Sequence, residues 1–95
     1  MKTNDGATSA PAPGYAEIEQ WLRTAIGELM GVPDDQVDIH TRFARFGIDS
    51  AGMVIMTEML SEWMGMELHP HLLRDHDTIE LLSRHLASRA TANVP

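Results

Sequence analysis

The sequence predicts an all-α protein: a small four-helix bundle of three main helices and one short helix, with a long first loop. Three stretches carry apolar residues at the 3.6-residue spacing of a helix, and no stretch alternates apolar and polar residues as a strand does. Glycine, proline or capping residues lie at the predicted helix ends. A chain of 95 residues has room for one domain.

The first helix has the clearest pattern. Its apolar stripe consists of Ile18, Trp21, Leu22, Ala25, Ile26, Leu29 and Met30. Glu17 and Glu19 suit the positive end of the helix dipole. Gly31 is placed to stop the helix, and Pro33 follows it.

A long loop over residues 32–49 comes next. Loops of this length are usually functional or disordered, but four apolar anchors predict an ordered one: Val37, Ile39, Phe43 and Phe46. Gly47 predicts a tight turn into the second helix.

The second helix is expected over about residues 50–64, with Gly65 ending it. A helical wheel gathers an apolar set on one broad face: Met53, Met56, Met59, Leu60, Trp63 and Met64. The opposite face holds Ser50, Ala51, Val54, Ile55, Glu58, Ser61 and Glu62.

The remaining elements are a short turn or one-turn helix at residues 71–75 and a last helix. Asp77 and Glu80 have the spacing of a capping box, so the last helix should begin at Asp77. Its buried stripe is Ile79, Leu82 and Leu86. The predicted organisation is a disordered arm over residues 1–14, a folded domain over 15–89 and a flexible tail over 90–95.

Composition excludes several classes of function. Seven basic against 14 acidic residues give a formal charge of −7, which argues against nucleic-acid binding and favours partners with basic surfaces. The chain has no cysteine, which removes disulfides and thiolate chemistry. It has no apolar run long enough to span a membrane and no secretory signal at its start. A cytoplasmic monomer that is not a self-sufficient enzyme is expected.

One segment, Phe46-Gly47-Ile48-Asp49-Ser50, joins the long loop to the second helix. Its context includes Trp21-Leu22, Val32-Pro33-Asp34, Phe43 and Arg74-Asp75-His76-Asp77-Thr78-Ile79. In this combination the sequence resembles acyl carrier proteins over about residues 16–88, and most closely the carrier domains of polyketide synthases. The resemblance implies a 4′-phosphopantetheine arm attached covalently to Ser50, with Asp49 in the signature that a phosphopantetheinyl transferase recognises.

Physical chemistry allows two roles for Ser50. A serine at a helix start is often a simple cap. The unpaired N–H groups of the same turn also favour an anion, and a phosphodiester on Ser50 would lie at the positive end of the helix dipole. The resemblance favours modification. Asp49 is either a cap or part of the recognition signature, or both, and no second group is placed to make it a catalytic acid.

The sequence departs from the family directly after Ser50. Leucine is usual at the next position, where Ala51 and then Gly52 stand here. Val54 and Ile55 on the solvent face, with only Glu58 and Glu62 nearby, predict a docking surface that is more apolar than charged. The proposed docking residues are therefore Ala51, Val54, Ile55, Glu58 and Glu62.

The resemblance implies a carrier that holds acyl or polyketide intermediates as thioesters and presents them to enzymes. Its partners would be the transferase, an acyltransferase or acyl-activating ligase, a ketosynthase and other synthase enzymes. A peptidyl carrier of a nonribosomal peptide synthetase and an unmodified helical interaction module remain alternatives. A serine hydrolase is excluded, because no triad partner or oxyanion loop is available.

Two other residue groups invite sharper interpretations. Five of the seven methionines lie between residues 53 and 66 and fit a loosely packed core. They could instead line an interior that opens between the second and last helices to shelter an acyl chain. The histidines and the acids at Asp34, Asp35 and Asp38 match no zinc or calcium pattern, so no metal is expected.

Overall fold

Four α-helices form the part of the chain that the structure describes, residues 13–92 in a computed structural model. They are α1 (Tyr15–Met30), α2 (Ser50–Met64), α3 (Leu72–Asp75) and α4 (Ile79–Ala92), and two 3-10 turns at Asp34–Gln36 and Phe43–Phe46 interrupt the first loop. Within residues 13–92 no strand is present, only one isolated bridge between Arg42 and Thr78. The all-α, four-helix prediction is confirmed.

Left-handed glycines end the first two helices as the sequence predicts. Gly31 follows α1 with φ of 73°, and Gly65 follows α2 with φ of 68°. A side chain would be strained there, so glycine fixes where each helix stops. The last helix runs further than expected, through residues 90–92 of the predicted tail, because neither glycine nor proline occurs before Pro95. Residues 1–12 of the predicted arm and 93–95 of the tail lie outside the described residues.

The core lies between the helices and the long loop. α1 and α4 pack against each other, and the loop contributes Val37 and Phe43, with Ile39 and Phe46 packed against the core. The fully buried apolar side chains are Ile18, Leu22, Ile26, Phe43, Leu60, Leu73, Ile79, Leu82 and Leu86. Burying each large apolar side chain stabilises the fold by about 1.5–3 kcal/mol.

The inward face of α2 differs from the broad face predicted. Met56, Thr57 and Leu60 are buried, whereas Met59 and Trp63 are 51% and 40% exposed. The helix is rotated so that Thr57 points inward, which is possible because its hydroxyl donates a 2.8 Å hydrogen bond to the Met53 carbonyl. The sequence pattern assigned Thr57 to neither face and placed Met59 and Trp63 on the buried one, so the predicted face lies too far round the helix.

The predicted Asp77–Glu80 capping box is also wrong. Thr78 is the capping residue of α4, since its hydroxyl oxygen accepts a hydrogen bond from the Leu81 N–H at 3.1 Å. Asp77 instead pairs with Arg42 at 3.4 Å. The Asp77 side chain therefore ties the last helix to the long loop.

Candidate functional site

The site predicted from the sequence lies where the long loop enters α2. Gly47 adopts a left-handed conformation with φ of 85°, so the chain turns sharply there. Ile48 is 4% exposed and anchors the turn in the core. Asp49 and Ser50, which follow directly, are both exposed. The turn thus fixes the backbone while presenting the next two side chains to solvent.

Asp49 caps the helix. Its carboxylate accepts a 2.8 Å hydrogen bond from the Gly52 N–H, and its carbonyl accepts one from the Met53 N–H at 2.9 Å. An aspartate in this position satisfies an N–H group that would otherwise lack a partner, and its charge suits the positive end of the helix. Asp49 therefore caps α2, and Ser50 is not needed for that role.

Ser50 is the first residue of α2, and its hydroxyl has no hydrogen-bond partner within residues 13–92. The N–H groups of Ser50 and Ala51 also have no partner in that range. Orphan N–H groups at the start of a helix of 15 residues favour an anion. A phosphate joined to the Ser50 oxygen would meet these two donors, so the residues present fit a phosphodiester.

A small cleft of about 70 Å³ adjoins Ser50. Its walls are Ser50, Met53 and Val54 from α2, and Pro70, His71 and Arg74 from the region of α3. Arg74 and His71 bring cationic or hydrogen-donating side chains to the wall that Ser50 shares. Neither residue was predicted to belong to the site, because both lie more than 20 positions after Ser50 in the sequence. The available signal was their place in the short helix predicted over residues 71–75.

Four of the five predicted docking residues are exposed on α2, and the fifth lies at the edge of the cleft beside Ser50. Ala51, Ile55, Glu58 and Glu62 are exposed, but Val54 is half-buried. Val54 lines the cleft beside Ser50 together with Pro70, whereas Ile55 lines a groove between α1 and α2 together with Leu29. The expected apolar pair is therefore divided between the two sides of α2.

Two further observations concern metal binding and membrane insertion in the described residues. Within residues 13–92, histidine, aspartate and glutamate side chains form no cluster that could hold a metal ion. The helices in this range are too short or too polar to cross a membrane.

A helical bundle that holds one exposed, unbonded serine at the start of its second main helix has the organisation of a carrier domain. The family described as the phosphopantetheine attachment site matches residues 20–86, and the chain belongs to that family. Such domains are carriers rather than catalysts, their cofactor is 4′-phosphopantetheine, and a phosphopantetheinyl transferase attaches it.

Relatives and a solved structure agree with this family. The chain is 35% identical over 79 residues to polyketide synthase PksL of Bacillus subtilis (strain 168), covering 83% of this chain but only 2% of that synthase. It is 29% identical to acyl carrier protein TtuC of Teredinibacter turnerae, covering 86% and 94% of the two chains. A free-standing peptidyl carrier protein from Acinetobacter baumannii has a similar structure, with 29% identity, a TM-score of 0.72 and coverage of 80% and 95%.

Proposed function

We propose that this chain carries acyl intermediates of polyketide biosynthesis as thioesters on a phosphopantetheine arm attached to Ser50. One observation at the start of α2 supports the proposal most strongly. Asp49 caps the helix, and the Ser50 hydroxyl is exposed and forms no hydrogen bond within residues 13–92. A hydroxyl already used as a cap would have to give up that bond to react.

Each residue near Ser50 has a distinct part in this proposal. The N–H groups of Ser50 and Ala51 would donate to the phosphate, the Arg74 guanidinium would add positive charge from the neighbouring wall, and the His71 ring would offer a hydrogen-bond donor. Asp49 holds the first turn in place and is part of the surface that the transferase reads. The arm, once bound, supplies a thiol that holds the acyl group.

Docking is the second part of the proposal. Ala51, Ile55, Glu58 and Glu62 face solvent on α2, next to the attachment serine. Ile55 offers apolar contact, and the two glutamates would steer basic surfaces of partner enzymes in a salt-dependent way. The expected partners are the transferase, an acyltransferase or acyl-activating ligase, and a ketosynthase. The proposed carrier domain comprises residues 15–89 and acts as a cytoplasmic monomer.

A peptidyl carrier is the second candidate. The Acinetobacter baumannii peptidyl carrier is 29% identical to this chain, and the match covers 95% of that carrier, which is the observation that favours this class. The names of the polyketide synthase and acyl carrier relatives favour the acyl class. A helical interaction module that is never modified is the third candidate, and Ala51 with Gly52 is the feature that suggests it.

Intact mass separates the carriers from the unmodified module. The protein is incubated with coenzyme A and a broad-specificity phosphopantetheinyl transferase, beside the variants Ser50→Ala and Ser88→Ala. Ser88 is an exposed serine of α4 and serves as the matched control. We expect the mass of one arm to appear on the wild type and on Ser88→Ala, and not on Ser50→Ala. An unchanged wild-type mass would refute the carrier proposal.

Acyl and aminoacyl cargo are distinguished by loading. The arm-bearing protein is offered to a malonyl or acyl transferase and, separately, to amino-acid-activating enzymes. Acyl loading in preference to aminoacyl loading supports the polyketide class, and the reverse result would move the chain to the peptidyl carriers.

A further inference from the structure

Gly52, the third residue of α2, has no conformational need to be glycine. Among the glycines that the structure describes, Gly31, Gly47 and Gly65 have positive φ, and Gly52 does not. Inside a helix glycine is less favourable than alanine, because it loses more backbone freedom on folding. The helix start that holds Ser50 therefore contains a residue that weakens it, and the reason lies in the space around that residue.

The space beside Gly52 is closed on two sides. A Cβ atom added there would lie 3.1 Å from the Ile48 side chain and 3.3 Å from Asp49 Oδ1. Ile48 is 4% exposed and packed in the core, so it has little room to move away. Asp49 Oδ1 is the atom that accepts the 2.8 Å capping bond from the Gly52 N–H. One more carbon atom at residue 52 would therefore crowd both the cap and the core contact of the turn that presents Ser50.

The other glycine inside a described helix is closely packed for a different reason. A Cβ atom at Gly27 of α1 would lie 2.8 Å from the Val32 carbonyl oxygen. The Val32 N–H donates to the Gly27 carbonyl at 2.9 Å, so this glycine lets the following loop pack against the end of α1. None of the nearest neighbours of Gly27 belongs to the start of α2. Crowding of the Asp49 cap is therefore specific to Gly52.

We propose that Gly52 is a positioning residue for the modification of Ser50, a proposal that rests on attachment at that serine. Because residue 52 has no Cβ, the Asp49 carboxylate stays on the Gly52 N–H and Ile48 stays in the core. The Ser50 hydroxyl and the free N–H groups of Ser50 and Ala51 are then presented to the transferase in one orientation. Gly52 acts through Asp49 and not by contact with the arm.

Unpartnered N–H groups lie beside the Asp49 carboxylate. Those of Ser50 and Ala51 have no partner within residues 13–92. A capping carboxylate can accept from either the second or the third N–H group of a helix, which here belong to Ala51 and Gly52. A Cβ at residue 52 would shift the carboxylate toward the Ala51 N–H, a donor that the phosphate needs, and bring its negative charge closer to the phosphate. Asp49 would then compete with the phosphate.

Two interpretations of Ala51-Gly52 predict different results for Gly52→Ala. In a helical module that is never modified, Gly52 has no role at the start of α2, and alanine would stabilise the helix by its higher propensity. If Gly52 positions the Asp49 cap, the close contacts oppose this gain and transfer of the arm slows. The rate of arm transfer therefore distinguishes the two interpretations.

Steady-state kinetics of arm transfer test the proposal. A broad-specificity phosphopantetheinyl transferase acts with coenzyme A on wild type, Gly52→Ala and Gly27→Ala, and intact mass measures the product at several carrier concentrations. Gly52→Ala should lose about tenfold in kcat/KM, mainly in kcat, because misplacing the reacting group slows the chemical step more than it weakens docking. Gly27→Ala is the matched control and should melt at a lower temperature but be modified at the wild-type rate. Circular dichroism confirms that each variant is folded at the assay temperature.

A double-mutant cycle checks that the effect passes through Asp49. Asp49→Ala removes the oxygen that a Cβ at residue 52 would crowd, so Gly52→Ala should slow transfer by no more than about twofold in that background. The remaining contact with Ile48 accounts for what is left. Nuclear magnetic resonance adds a structural readout: the Ala51 N–H resonance should shift in Gly52→Ala, and the additional substitution Asp49→Ala should abolish that shift.

The contradictory outcomes are distinct. A wild type that gains no mass refutes attachment at Ser50 and removes the basis of the inference. A wild-type kcat/KM in Gly52→Ala refutes the positioning role and leaves the carrier function intact. Equal slowing in Gly52→Ala and Gly27→Ala would make the effect one of general stability, as would failure of Gly52→Ala to fold. Full additivity with Asp49→Ala would mean that the added methyl group obstructs the transferase directly. Each of these last results overturns the proposal.

Discussion

The starts of α2 and α4 each carry a hydroxyl residue, and the two are held in opposite ways. At α4 the Thr78 hydroxyl is itself the cap, and the side chain is 8% exposed. At α2 the preceding Asp49 is the cap, and Ser50 is exposed with a free hydroxyl. A hydroxyl at a helix start is thus available for chemistry only where another residue takes over the capping bond.

The surroundings strengthen the contrast. The start of α4 is tied to the long loop through the Asp77 carbonyl, which accepts from the Phe43 N–H at 2.9 Å, and through the Glu80 N–H, which donates to the Ile39 carbonyl at 3.0 Å. His40 adds a 3.2 Å contact to the Glu80 carboxylate. The start of α2 is anchored mainly by buried Ile48. The start of α4 is therefore held by several contacts to the long loop, whereas the start of α2 presents its side chains to solvent.

The largest effect is expected from Thr78→Ala. The substitution removes the cap of α4 at a buried position and leaves the Leu81 N–H without its partner, so the free energy of unfolding should fall by about 1.5–2 kcal/mol. Urea denaturation followed by circular dichroism measures the change. Modification by the transferase should be retained, and a stability equal to that of the wild type would contradict the assigned cap.

Asp49→Ala should have the next largest effect, a loss of about 1 kcal/mol in the free energy of unfolding. Asp49→Asn is the matched control, because an asparagine side chain can accept the same bond from the Gly52 N–H. The pair also separates capping from recognition. Slow modification of both variants would mean that the transferase reads the carboxylate; slow modification of the alanine variant alone would mean that it needs only an ordered first turn.

Much of this contrast could be predicted from the sequence, and the reasons are local. Gly31 and Gly65 end their helices because a left-handed residue is needed there, and the Ser50 region follows from a motif of adjacent residues. The cap of α4 was misplaced by one position because Asp77 and Thr78 are both good caps in isolation. The contacts that hold Asp77 against the long loop, its salt bridge to Arg42 and the bond from the Phe43 N–H to its carbonyl, come from residues more than 30 positions earlier, so the local sequence does not distinguish the two caps.

The surface of α2 was harder to predict for a similar reason. The apolar pattern of residues 50–64 predicted the helix correctly. The rotation of the helix about its axis, however, depends on which neighbours it packs against. Thr57 satisfies its own hydroxyl inside the helix, so it can be buried at little cost and Met59 can be left outside. The stacked Trp21 and Trp63 come from separate helices, and neither helix alone indicates that they meet.

A smaller effect is expected from the protonation of His85, in the middle of α4. The ring of His85 stacks on that of His76 with centroids 4.0 Å apart. Burial, then His76 and then Arg89, lower the pKa of His85 below its ordinary value of 6.5. The folded chain therefore binds this proton less readily than the unfolded chain. The contribution of His85 to the free energy of unfolding is therefore fully present well above pH 6.5 and is lost as the pH falls below that value.

Melting temperatures test this dependence. Wild type, His85→Phe and His71→Gln are compared at about pH 7.5 and about pH 5.5, on either side of the ordinary histidine pKa. Phenylalanine keeps an aromatic ring against His76 but cannot be protonated, so His85→Phe should lose less stability on acidification. His71 is exposed, and its variant should behave as the wild type does. An equal acid-induced decrease in all three proteins would contradict the role of His85.

The smallest effect on stability should come from Ser50→Ala, the change that abolishes modification. Ser50 is exposed, makes no hydrogen bond through its hydroxyl within residues 13–92, and leaves capping to Asp49, so the free energy of unfolding should change by no more than about 0.5 kcal/mol. Thr78→Ala removes an equivalent group and should show the reverse combination, reduced stability with full modification. If Ser50→Ala destabilised the fold as much as Thr78→Ala does, the serine would have a structural role. The proposed difference between the Ser50 hydroxyl, free for modification, and the Thr78 hydroxyl, used as a cap, would then be refuted.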